Sequence, residues 1–167
     1  IGLVLIWLVP KGTVSKQPIP TFKAIIARHI RAYSSPNEFA PAIGWLFYTL
    51  TFVSLLTLIP QFIPAEHRTS LVPLLPLTAI ATSLTFGAVL LRVISAITLV
   101  QIGFVGSGVM AVLLQILPYT PMTSVVLFAF LGLIQSASFS AIPQLNPSPD
   151  SQAIAHGGMS QMGNLGN

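Results

Sequence analysis

From Val93 to Pro149 the chain runs for 57 residues without an Asp, Glu, Lys or Arg. No water-facing fold can use such a stretch, because a soluble domain carries about 25 % charged residues and spreads them over its surface. Two shorter runs repeat the pattern: Phe39 to Ala65 holds 27 uncharged residues and Thr69 to Leu91 holds 23. A helix needs roughly 20 apolar residues to cross about 30 Å of hydrocarbon. The long run therefore has room for two crossings and a turn, and each short run for one. Barrel strands would instead alternate apolar and polar residues in segments of about ten, and that alternation is absent. Helices also keep their backbone hydrogen bonds inside the segment, as hydrocarbon demands. The class implied is an all-α integral membrane protein, a polytopic helix bundle. A charged fraction of 6 % and a mean hydropathy of +0.85 agree with no other class.

Read in order, residues 1–9 form the end of one transmembrane helix, stopped by Pro10, Lys11 and Gly12. Residues 10–38 form a basic linker holding five of the seven Lys and Arg residues. Within it, "TFKAIIARHIRAY" places Phe22, Ile25, Ile26, Ile30 and Tyr33 on one helical arc and Lys23, Arg28 and Arg31 on the other. That pattern predicts a helix lying in the membrane interface. Residues 39–167 are expected to form the bundle proper, with helices at about 40–63, 70–91, 93–117, 121–142 and 151–167. Ser35 or Asn37 is the expected cap of the first, Thr120 with Pro121 opens the fourth, and Ser148 with Pro149 opens the fifth. "AEHRTS" is read as a loop carrying Glu66, His67 and Arg68.

Charge then orients the bundle. With 10–38 in the cytoplasm and sides alternating, six of the seven Lys and Arg residues fall inside, and the opposite arrangement leaves one. The expected location is the plasma (inner) membrane, with the lipid bilayer as the first partner. The basic residues are not interleaved with aromatics as in a nucleic-acid binder, so no nucleic acid is expected. With no cysteine, disulfides and thiolate metal sites are excluded, and neither a cofactor nor a metal site is read from the chain.

A helix end, a basic cytoplasmic linker with an amphipathic helix, and then short-looped hairpins resemble the centre and second half of a major facilitator superfamily transporter. That family carries Gly-x-x-x-Asp-Arg-x-Gly-Arg in a cytoplasmic loop. "GAVLLRVIS" keeps Gly87 and Arg92 at its offset, with Leu91 and Ile94 at the acid and second-glycine positions. The region "SFSAIPQLNP…GGMSQMGNLGN" also resembles the family's helices ten and eleven. The resemblance spans the whole chain, from the end of helix six through most of helix eleven, and implies a truncated chain that pairs with a missing N-terminal half bundle. It implies secondary active transport of a small solute by alternating access, and no enzyme.

In a carrier of that kind the family's helices seven, eight, ten and eleven line the solute path. Gln152, His156, Ser160 and Asn164 recur every four residues, with Gln161 beside them. Polar groups at membrane depth face protein or a wet cavity. His156, Ser160, Gln161 and Asn164 are therefore candidate pathway residues, with Met159 and Leu165 as their expected lipid-facing neighbours. The competing explanation is hydrogen bonding between helices at about 0.6 kcal/mol per bond. Trp45, Tyr48 and Gln135 are further pathway candidates, while Gly103, Ser107 and Ala111 have the small-xxx-small spacing of close helix packing. Two alternatives stay open. Ser107 inside Gly106-Ser107-Gly108 could pair with His156 as an intramembrane serine hydrolase, although the rhomboid-type pattern wants a glycine where Val105 stands. A channel or permease subunit is the other. Glu38, Glu66 and Asp150 fall in loops on this reading, so no acid is expected at membrane depth.

Overall fold

The computed structural model describes residues 21–117 and 120–167, and among these every regular element is helical. The expected helix end at 1–9 and the first half of the linker, 10–20, lie outside the described residues. We number the helices α1 (Phe22–Ser34), α2 (Pro36–Phe62), α3 (Ala65–Leu90), α4 (Ala96–Ile116), α5 (Pro121–Leu145) and α6 (Pro149–Gly166). Four of them, α2 to α5, are long and apolar enough to cross a membrane. The chain is an integral membrane protein by that measure, and α6 is not among the four: nine of its 18 residues are Gly, Ser, Gln or Asn before any further polar group is counted.

Local chemistry sets the boundaries. Thr21 opens α1, its hydroxyl accepting from the Ala24 N–H at 3.4 Å. Ser35 closes that helix and stands at the cap position of α2, with Pro36 first in the helix, where a missing N–H costs nothing. α2 thus starts four residues before the expected 40, and Glu38 lies in its first turn instead of a loop. The expected loop "AEHRTS" is likewise the opening of α3, not 70 but 65 being its start. Glu66 in the first turn suits the positive end of the helix dipole, and the Arg68 guanidinium donates back to the Ile63 carbonyl at 3.1 Å. Between α3 and α4 the chain needs residues in which to reverse, and Leu91–Ile94 supply that turn. Ser95 then caps α4 through the Thr98 N–H at 3.1 Å, so that helix begins at 96 and not 93. α5 runs three residues past the expected 142, through Pro143. The Asn146 amide donates to the Ile142 carbonyl at 3.1 Å and holds the end that proline would otherwise fray. Ser148 caps α6 as its sequence suggests, accepting from the Ser151 N–H at 3.1 Å with Pro149 following.

α5 is the axis. Leu127, Phe128, Leu131 and Ile134 meet Leu71, Leu75 and Ala79 of α3 and Tyr48 and Ile59 of α2 in the main core. Leu133, Ala137 and Ala141 meet Ala96 and Leu99 of α4 on another side. Glycines allow the closest approaches: a methyl group on Gly132 would strike the Ala79 carbonyl, one on Gly103 would strike Ile134, and one on Gly87 would strike Ser136. The Gly103–Ser107 face is therefore a packing surface, as its spacing suggests. α3 carries one π-helical stretch, Ser83–Gly87, just where it meets α5. α6 lies along α2, with Gly163 under Trp45 and Gly166 against Thr49. Two contacts fix which ends are together. The Ala96 N–H donates to Gln144 Oε1 at 3.0 Å, and the Asn146 amide donates to the Asn37 carbonyl at 3.0 Å. The starts of α2, α4 and α6 and the end of α5 thus share one end of the bundle.

Candidate functional site

Two groups of the sequence-predicted residues come together, on either side of the α2–α6 seam. On the inner side Tyr48 is buried and its hydroxyl donates to Gln135 Oε1 at 3.3 Å, joining α2 to α5. Trp45 stacks on Tyr48 with ring centroids 4.7 Å apart and meets Phe139 edge-on at 5.0 Å. Phe139 in turn stacks against His156 of α6 at 6.5 Å. Trp45, Tyr48, Gln135 and His156 are therefore linked through one line of rings, although they come from three helices. Phe139 is the member the sequence does not single out, being one of the chain's 10 phenylalanines and set in an apolar helix.

The outer side is the free face of α6. At 100° per residue, Ser151, Ala155, Gly158, Met159, Gly163 and Gly166 fall on the buried arc. Ala153, His156, Gly157, Ser160, Gln161 and Asn164 fall on the opposite, exposed one. The exposed faces of the spanning helices are unlike it, carrying Phe62, Leu77, Leu84, Phe86, Val105 and Val112. Met159, expected to face lipid, is instead 2 % exposed and packs with Ile142 and Trp45. It lies 100° from Ser160 on the side that α2 covers. Leu165, the other expected lipid-facing neighbour, is exposed about 40° round the helix from Gln161. Gln152 begins the stripe but turns inward, its amide donating to the Asn146 carbonyl at 2.9 Å.

Gln161 has partners the sequence did not suggest. The Tyr33 hydroxyl donates to its Oε1 at 2.7 Å, and its Nε2 lies 3.4 Å from His29 Nδ1. Both come from α1. The available signal was His29, a polar ring in the middle of that helix's apolar arc. Ser160 donates to the His156 carbonyl at 3.0 Å, a bond within its own helix, and Asn164 is open. Thr49 and Ser107 also satisfy their hydroxyls on their own helices, Ser107 on the Phe104 carbonyl at 3.0 Å. Ser107 is buried in the face that α4 turns to α5, whereas His156 sits on the exposed side of α6.

Gly87 is buried against Ser136, and Arg92 is exposed in the turn that follows α3. The acids are placed differently from the sequence reading. All three lie in first helical turns, and Glu38 is buried at 4 % exposure. Arg31 of α1 bridges it, at 3.1 Å, to Asp150 of α6, at 2.8 Å. Among the described residues, no three His, Asp or Glu side chains gather in a metal-binding group. Compared with protein-family models, with curated proteins and with solved structures, the chain matches none.

Proposed function

We propose that the chain is part of a secondary transporter of the major facilitator type, moving a small polar solute by alternating access. The free face of α6 and the Tyr48–Gln135 pair behind it lie along the solute path. The observation that carries this reading is the contrast between faces: α6 turns imidazole, hydroxyl and amide groups outward where its neighbours turn out Leu, Val and Phe. Such groups are disfavoured against hydrocarbon and favoured against water or another protein surface. A wet path between this bundle and a second one opposite α6 satisfies them, in the way that carriers place their sites at the interface of two repeats near the midplane. The ring line from His156 to Tyr48 gives that path a rigid apolar wall with hydrogen-bonding groups at its ends. On this reading the end of the bundle that holds the start of α2 and of α6 faces the cytoplasm, and the membrane is the plasma (inner) membrane.

The test is uptake of labelled small polar solutes by the full-length protein in proteoliposomes, followed by substitution of the α6 face. Ser160→Leu and Asn164→Leu should lower uptake at unchanged membrane yield. Yield lost at unchanged specific uptake would instead assign the face to helix packing. Ser107→Ala should leave uptake intact; a hydrolytic activity lost with it would replace the transport reading.

A further inference from the structure

Glu38 has the most unusual surroundings of any charged group described. Its carboxylate is buried at the first turn of α2, Oε1 accepts from Arg31, and Oε2 is buried with no hydrogen-bond partner. Buried polar atoms are seldom left in that state. Arg31 does not belong to Glu38 alone. Its other terminal nitrogen holds Asp150, which is 60 % exposed at the start of α6. Two carboxylates thus share one guanidinium, and the three groups together carry one negative charge more than they balance. A single positive charge would complete the set, and the atom without a donor is the place for it.

We propose that Glu38 is a proton-binding site whose occupancy and the docking of α1 oppose one another. With Glu38 ionised, Arg31 is held from two sides and ties α1 across the starts of α2 and α6. A proton on Oε2 removes the charge that holds Arg31 to α2. The guanidinium then keeps only its pair with the exposed Asp150, and exposed pairs hold weakly. Release of α1 would also free Tyr33 and His29 from Gln161 and so uncover that end of the α6 face. The linkage is reciprocal: acid favours release, and a docked Arg31 disfavours the proton.

Other titratable groups on the elements around Glu38 are placed elsewhere. On α1, His29 is at Gln161 and Lys23 is exposed. On α6, His156 is against Phe139, and on α2 Tyr48 bonds Gln135. α5 has no titratable side chain, and the nearest polar group at its end, Asn146, is neutral and bonds the Asn37 carbonyl. The proposal does not depend on the transport reading, since it concerns a proton and a helix.

The test uses the 167-residue chain in lipid nanodiscs. The chain has three acidic residues, two of them glutamates, so Glu66→Gln leaves Glu38 as its only glutamate carboxyl. With isotope-labelled glutamate, infrared difference spectra on acidification should show the Glu38 carboxylate band give way to a carboxylic-acid band. In parallel, a spin-label pair at Lys23→Cys and Ala153→Cys should show the docked distance lost over the same pH range. One proton changes the docked-to-released ratio by at most about tenfold per pH unit. Glu38→Gln should give the released distance at every pH, and Asp150→Asn, which removes the second tie on Arg31, should make release on acidification more complete. A docked distance at neutral pH with the same acid-induced loss in Glu38→Gln overturns the proposal, as does a parent distance that ignores pH. If Glu38→Gln does not fold, the Glu66→Gln protein decides alone: coincident infrared and distance titrations support the site, and separate ones overturn it.

Discussion

At the scale of single residues, the bundle depends on what each glycine faces more than on how many it has. Gly132→Ala drives a methyl group into the Ala79 backbone, which cannot turn aside as a side chain can, so a loss of about 1–3 kcal/mol is expected. Gly108 has open space where its Cβ would stand inside α4, and Gly108→Ala should stabilise by about 0.5–1 kcal/mol. Thermal unfolding in detergent separates the two, and equal effects would deny the α3–α5 contact. The Tyr48–Gln135 bond is tested by a double-mutant cycle of Tyr48→Phe and Gln135→Leu. A coupling near 0.6 kcal/mol is expected, the usual size for a bond between membrane helices. Both partners were legible in the sequence as polar groups in apolar helices. That they pair with each other was not, because spacing within one helix says nothing about which face of another it meets. Glu38 was hidden for the same reason: a charge two residues past a proline reads as a loop until α1 folds over it.

At the scale of elements, composition located the helices and cap chemistry corrected them. The uncharged runs found α2 to α5, but charged residues in the first turns of α2 and α3 made both look shorter than they are. α6 was legible as a stripe of polar groups, yet only packing on α2 shows that the stripe is the exposed side. This gives a labelling prediction. Cysteines at His156, Ser160 and Asn164 should react with small polar thiol reagents, while those at Ala155 and Met159 should not, since the reactive thiolate forms in water. Reaction at Met159 matching that at Ser160 would break the seam between α2 and α6. The π stretch in α3 left no sequence signal at all. A π turn takes roughly one residue more than an α turn, so the eight steps from Ala79 to Gly87 make about two whole turns and bring both onto α5. In an unbroken α-helix at 3.6 residues per turn they would lie roughly 80° apart. Deleting Thr85 should turn the bulge into plain α-helix and leave Gly87 seven steps from Ala79, about 20° short of two whole turns, so helix content and melting temperature should both be largely kept. A melting temperature well below that of the parent would mean that the bulge itself has a part in packing.

At the scale of the molecule, alternation across the bilayer is the first thing to check. Arg92 and Pro147 lie at one end of the bundle, His67 and Thr120 at the other, and all four are exposed. The chain has no cysteine, so single cysteines at these positions report cleanly. The first pair should label from one side of the membrane only, and the second pair from the other. Labelling of Pro147→Cys and Thr120→Cys from the same side would mean that α5 does not cross. The burial of the spans carries a further consequence. α5 is 56 % buried in its most apolar window, whereas α2, α3 and α4 are 17–22 % buried in theirs. Most of the shell is therefore under no jigsaw constraint; hydrocarbon accepts Leu, Ile, Val and Phe alike. Substitution from one apolar residue to another should pass almost unnoticed over three helices and be refused along the fourth. Across a collection of variants, drift would accumulate in a sleeve around a slowly changing spindle, and the spindle would be α5.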